Sequence, residues 1–219
     1  MSKSRFELPI LAFAAVLFLA EGATAQASHR KFELFAEGGV STTNKFTQFE
    51  QGIVNLQPLE FGSFTINSSL RTTGRLFAGV RLWVDKSQAF EASYSYSPSS
   101  LLSSVTCTPS CGGVGIRATP LRANFFAGNY IHTLPQLGSL RPFLTAGAGI
   151  LTFFQESPGY VEHDPFTVNL GGGFDRDIAS HWAVRAEYRD WISEMPHFGS
   201  TASGLVHNMV PSIGPVFRF

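Results

Sequence analysis

Eight runs of alternating apolar and polar residues, each of strand length and set off by turn-rich gaps, predict an all-β chain folded as an eight-stranded antiparallel up-and-down barrel. The gaps after the first, third, fifth and seventh runs are long and those after the second, fourth and sixth are short, so antiparallel strands carry every long loop to one end. Charged residues make up only 15% of the 219, well under the roughly 25% of ordinary soluble domains, while Gly and Phe reach 21 each. The barrel is expected to be transmembrane. Past the N-terminal leader, no stretch approaches the ~18 consecutive apolar residues that a spanning helix needs, so strands must do the crossing. Lys plus Arg equals Asp plus Glu at 16 each, which leaves no electrostatic footprint for nucleic acid.

Residues 1–25 read as a secretory signal peptide: Lys3 and Arg5 lead, Leu8 to Ala20 is apolar, and Ala23-Thr24-Ala25 supplies the small residues of a cleavage site. A helical membrane anchor is the competing reading, but the apolar run is too short to cross a bilayer and contains Pro9. Residues 26–219, beginning at Gln26, are then one barrel domain.

The first strand spans Lys31 to Val40, with Phe32, Leu34 and Ala36 opposed to Glu33, Phe35 and Glu37. A long polar gap from Ser41 to Thr73 follows, with room for strand extensions around Leu59 to Ile66. Gly74 to Val84 sets Leu76, Ala78, Val80, Leu82 and Val84 against Arg75, Phe77, Gly79, Arg81 and Trp83. After the turn Asp85-Lys86-Ser87-Gln88, Ala89 to Ser97 sets Phe90, Ala92, Tyr94 and Tyr96 against Glu91, Ser93 and Ser95. Pro98 to Ile116 is the second long gap. In the fourth strand, within Arg117 to Thr133, Leu121, Ala123, Phe125, Ala127 and Ile131 form the apolar side and Arg122, Asn124, Phe126 and Gly128 the other; Asn129 falls on the apolar side and fits it poorly. Beyond the turn Leu134 to Leu140, Arg141 to Phe153 opposes Leu144, Ala146, Ala148 and Ile150 to Thr145, Gly147 and Gly149. Phe154 to Pro165 is the third long gap. Phe166 to Phe174 and Trp182 to Trp191 follow, joined by a short turn, and Ile192 to Gly204 is the last long gap before the final strand.

With the apolar face toward lipid, the polar face fills the barrel. Glu33, Glu37, Arg75, Arg81, Glu91, Arg122, Asp175, Arg185, Glu187, Arg189 and Arg218 share the inward parity. Buried charges are tolerable only when paired and hydrogen-bonded, so an interior ionic network is expected. Gly39, Gly79, Gly128, Gly147, Gly149, Gly171 and Gly173 would make room there for the arginines and for Phe35, Phe77 and Trp83.

The final strand, Met209 to Phe219, puts Met209, Ile213, Phe217 and Phe219 on one face and Val210, Ser212, Gly214 and Arg218 on the other. A terminal Phe219 with Phe217 two residues before it resembles the C-terminal insertion signal of bacterial outer-membrane β-barrel proteins, and the chain is similar to the small OmpA, OmpX and Ail group. The resemblance implies a monomeric barrel in the bacterial outer membrane, with short periplasmic turns and long extracellular loops. It also implies partners: the barrel-assembly machinery during insertion, outer-membrane lipid around the mature wall, and a surface ligand on the long loops. With the last strand closing the barrel, no tether to the cell wall is expected, and no cofactor is implied.

Cys107 and Cys111, the two cysteines, suit a small loop disulfide in an exported protein, since the Thr-Pro-Ser between them offers no metal ligands. The six histidines have no ligand-like spacing, and Gly147-Ala148-Gly149 and Gly171-Gly172-Gly173 lie inside strands rather than opening a helix, which argues against a phosphate loop. A secreted lipocalin-like carrier is the rival fold, because alternation alone does not say which face points outward. Against it stand the loop asymmetry, the aromatic last strand, and Tyr94, Tyr96, Trp182, Tyr188 and Phe219 near strand ends, where interface girdles form. A structural or surface-interaction role without catalysis is expected. Its functional rivals are a narrow solute pore, for which eight strands rarely leave space, and an outer-leaflet lipid-modifying enzyme built on His207, where Met209 stands in place of the serine such a site would need.

Overall fold

The computed structural model describes residues 31–43, 46–54, 60–108, 116–155, 165–194 and 205–219. The expected signal peptide and Cys111 lie outside them. Among the described residues are ten strands: β1 (Phe32–Thr43), β2 (Phe46–Val54), β3 (Glu60–Leu70), β4 (Thr73–Trp83), β5 (Gln88–Thr108), β6 (Ile116–Thr133), β7 (Leu140–Gln155), β8 (Phe166–Asp177), β9 (Trp182–Glu194) and β10 (Leu205–Arg218). Eight of them close a barrel in the order β1-β4-β5-β6-β7-β8-β9-β10 and back to β1, every pairing antiparallel. These are the eight strands that alternation predicts. The seam joins β1 to β10, with Glu33 opposite Arg218 and Leu34 opposite Phe217. Closure leaves the wall no unpaired edge, which is what a lipid surround demands of backbone N–H and C=O groups.

The long gaps hold more strand than expected, although β3 falls where the sequence leaves room for strand extensions around Leu59 to Ile66. β2 and β3 occupy most of the first, pairing with each other, and β3 continues onto the outer part of β5, with Leu70 opposite Leu101 and Ser63 opposite Thr108. Much of the second is strand as well: β5 runs on to Thr108 and β6 begins at Ile116, Ser104 lying opposite Ile116. β4 pairs with β5 only as far as Tyr96, so this part of the sheet stands beyond the barrel wall. There, neither a lumen nor lipid enforces a two-residue period, and the sequence signal for a strand is lost.

The wall is inverted relative to a soluble protein. Leu76, Phe90, Leu144, Phe166, Leu170 and Ile213 face outward and are exposed, whereas Arg81 and Arg185 are inside with 0% exposure. An apolar band that runs round the molecule has lipid as its natural surround. Aromatic rings collect at the end that carries the short turns: Trp182 packs on Phe217 at 4.8 Å, Phe217 on Phe219 at 4.8 Å, and Phe219 on Phe32 at 5.8 Å. Toward the other end, Tyr94 stacks on Phe126 at 4.8 Å and donates its hydroxyl to Asn124 Oδ1 at 2.6 Å, a ring with an apolar body and a polar tip of the kind that suits an interface.

β6 is turned over relative to expectation. Leu121, Ala123, Phe125, Ala127, Asn129 and Ile131 point into the barrel, while Arg122, Phe126, Gly128 and Tyr130 are exposed outside. Its register dictates this, because Asn129 lies opposite the inward Glu91 and Phe125 opposite the inward Ser95.

Candidate functional site: the charged lumen

The half of the lumen nearest the short turns is built on acids and arginines contributed by different strands. Glu91 of β5 is one hub: Arg81 donates to its Oε2 through Nη2 at 2.7 Å and Nε at 3.2 Å, and Arg189 and Asn129 donate to its Oε1 at 2.6 and 2.9 Å. Arg185 of β9 is another, grasping both oxygens of Asp175 at 2.8 and 3.1 Å and reaching Glu33 Oε2 at 3.2 Å. Arg218, next to the chain end, donates to Glu33 Oε1 at 2.7 Å, to Asp175 Oδ2 at 2.9 Å, and to Asp177. Arg189 also pairs with Glu187, and Glu37 accepts from the Ser212 hydroxyl at 2.5 Å. These are charge-assisted bonds out of water, where each partner's desolvation makes the other's presence obligatory.

Amides extend the network. Asn129 donates to Ser93 Oγ at 3.0 Å and accepts from Asn169 at 2.8 Å. Gly147 faces Asn129 across the β6–β7 ladder, and a Cβ there would collide with that side chain; this glycine leaves the space that the amide fills. Gly79 does the same for the Phe35 ring.

Toward the loop end the filling changes character. Arg75 is buried at 2% exposure with none of its three guanidinium nitrogens hydrogen-bonded, and its cation lies 4.1 Å from the centre of the Phe125 ring and 5.8 Å from that of Phe77. Trp191 packs on the same rings at 5.0 and 6.4 Å. Leu121, Ala123, Leu151, Phe153 and Val206 complete an apolar cluster with them. A cation over ring faces is a recognised alternative to an ion pair when it is desolvated.

Glu33, Glu37, Arg75, Arg81, Glu91, Asp175, Arg185, Glu187, Arg189 and Arg218 are thus all buried inside the barrel. Arg122 is not: it is exposed on the outer face, a correction to its expected place among the lumen charges, and it follows from the reversed facing of β6. Gly128 also faces out, with nothing within 4 Å of a built Cβ. Sequence reasoning missed Asn129, Asn169 and the Arg75–Phe125–Trp191 layer. The poor fit of Asn129 on its assigned face was the available signal. Cys107 lies on the outer part of β5, opposite Phe64.

No group of three or more metal-ligating side chains occurs among the described residues. On the outer face, His207 Nδ1 sits 2.7 Å from Asp190 Oδ2. Ile192 lies opposite His207, and Met209 lies between Asp190 and Thr42 on the flanking strands.

An apolar wall around buried charges, many of them in ion pairs, defines a transmembrane β-barrel. No family model and no curated protein matches the chain. Solved structures do match. Neisserial surface protein A (NspA) superposes with a TM-score of 0.54 at 13% identity over 86% of this chain and 97% of that one. The outer membrane protein OprG from Pseudomonas aeruginosa does so with 0.53 at 13% identity over 88% and 98%. The chain has the fold of the eight-stranded bacterial outer-membrane β-barrels.

Proposed function

We propose that the protein is a monomeric integral barrel of the bacterial outer membrane whose role is structural or surface-interactive, without catalysis. The filled lumen carries this reading. A conduit needs a continuous wet path, and here Arg81 and Arg185 around Glu33, and Phe125 packed on Trp191, sit in the interior at 0–1% exposure. The working surfaces are then the wall and the loop end. Lipid is the partner of the wall, and the seam strand offers Phe217 and Phe219 to the assembly machinery as it inserts. The sheet that β2, β3, β5 and β6 raise beyond the wall is where a surface ligand would bind, and Cys107 on β5 would bridge to Cys111.

Planar-bilayer recording tests the reading directly. The refolded protein is expected to give no discrete conductance steps, and steady steps would favour the narrow pore. Lipid modification has one observation on its side, the His207–Asp190 pair. On our reading, expressing the protein leaves the acyl pattern of the cell's surface lipid unchanged, whereas a change abolished by His207→Ala would replace this reading with the enzymatic one.

A further inference from the structure

At the end that carries the short turns, the start of β1 and the end of β10, the lumen opens into a vestibule of about 490 Å³. Its aromatic lining is Trp83 and Phe143, whose ring centres lie 5.9 and 4.7 Å from the Arg81 guanidinium carbon. Four carboxylates line it, and each is already engaged. Glu33 holds Arg218 and Arg185 at 2.7 and 3.2 Å, and Asp175 holds Arg185 and Arg218 at 2.8 and 2.9 Å. Asp177 holds Arg218, and Arg141 at 3.2 Å; Asp85 accepts from the Ser87 and Gln88 amides at 2.7 Å each.

Donors, by contrast, are in surplus. Arg81 is 0% exposed, yet its Nη1 has no hydrogen bond and stops 3.9 Å from Glu33 Oε2. Arg141 Nε and the Thr133 hydroxyl are buried without partners as well, and both residues line the same cavity. Lys31 and Lys86 bring two further ammonium groups to its lining. Unsatisfied donors out of water are costly, and only an acceptor relieves them. The lining carries five cations, Lys31, Arg81, Lys86, Arg141 and Arg218, against four carboxylates, and buried donors without acceptors in a net positive lining select a negatively charged oxygen group.

We infer that the vestibule is a binding site for a phosphate-type oxyanion, free or as a lipid headgroup, held between Arg81, Arg141 and Thr133 with any apolar body against Trp83 and Phe143. The inference rests on the barrel reading, which turns this mouth toward the periplasm.

The test uses the mature chain refolded in octyl glucoside, with the indole N–H resonance of Trp83 followed by NMR. Inorganic phosphate and dihexanoyl phosphatidylglycerol are titrated separately at fixed ionic strength, with the Trp191 resonance as internal control. A saturable shift of Trp83 is expected. Its midpoint should weaken by about fivefold or more in Arg141→Gln and in the double variant Lys31→Glu, Lys86→Glu, the loss of roughly 1 kcal/mol that one charge-assisted contact supplies. Response to phosphate assigns a soluble anion, and response to the lipid alone assigns a headgroup. No saturable shift, or equal midpoints in the variants, means that the spare donors hold only water and overturns the inference. A gel of unheated samples separates the two failures: a chain that does not insert overturns the barrel reading and this one with it, whereas an inserted barrel with a silent Trp83 overturns this one alone.

Discussion

Glu91 and Arg75 bury charge in two different ways, and single substitutions tell them apart. Glu91 is held by Arg81, Arg189 and Asn129, so Glu91→Gln leaves two arginines with a neutral partner in a buried site. Breaking such a pair should cost about 3–5 kcal/mol in urea unfolding from detergent or bilayers. Asp177→Asn also touches an arginine, but its side chain is 56% exposed, and the expected loss stays below about 1 kcal/mol. Arg75 has ring faces around it and no acceptor. Arg75→Met keeps much of the volume and removes the desolvated charge, so stability should hold or rise, and a loss beyond about 2 kcal/mol would mean that a partner for Arg75 has been overlooked. At this scale parity made most of the lumen legible, because nearly every strand puts its charges on one face. It failed for Arg122, which is polar yet faces outward, and for Asn129, whose inward place is fixed by Glu91 on the neighbouring strand rather than by anything local.

Among elements, the wall strands and the tight turns are the most informative. Leu144 sits on the outer face of β7 at 53% exposure, and Leu144→Arg should cost about 2–4 kcal/mol in a bilayer. Leu137 is more exposed still, at 67%, but lies in the β6–β7 turn outside the wall, so Leu137→Arg should cost under about 1 kcal/mol. Equal costs would mean that no lipid band exists. In the β4–β5 turn the Ser87 amide and hydroxyl, with the Gln88 amide, hold the Asp85 carboxyl below its ordinary range. A depressed native value means that this turn's contribution is present above the unfolded carboxyl's titration and lost as pH falls through the native one. Asp85→Ala should therefore flatten the acid limb of the unfolding midpoint, whereas a limb of unchanged steepness would assign it to other groups. Alternation identified the wall strands because lipid and lumen each demand one kind of side chain. β2 and the far parts of β5 and β6 escaped it because neither medium reaches them, and β3 showed only as room for strand extensions around Leu59 to Ile66. β6 was found but faced wrongly, since its inward residues serve the Phe77–Phe125–Trp191 cluster and read as a lipid face.

Over the whole molecule, the charged interior and oily exterior fix the solvent in which the chain can be folded. Refolded into detergent, it should give a β-rich circular dichroism spectrum and a band that shifts on boiling; a chain that stays folded and soluble in plain buffer would point back to the apolar-cavity carrier. The seam gives the molecule a further property. Glu33 and Arg218 stand 185 positions apart in the chain yet share a 2.7 Å contact, with the Phe32 and Phe219 rings packed at a tilt just beyond them. Until β10 docks, the sheet is an open, water-filled trough in which Glu33 lacks Arg218 and the wall has two raw edges. Sealing the backbone and neutralising the interior are one event, and only a chain that contains β10 can perform it. A copy cut short before β10 can do neither, so the strand that closes the wall is also the one that completes its charge balance.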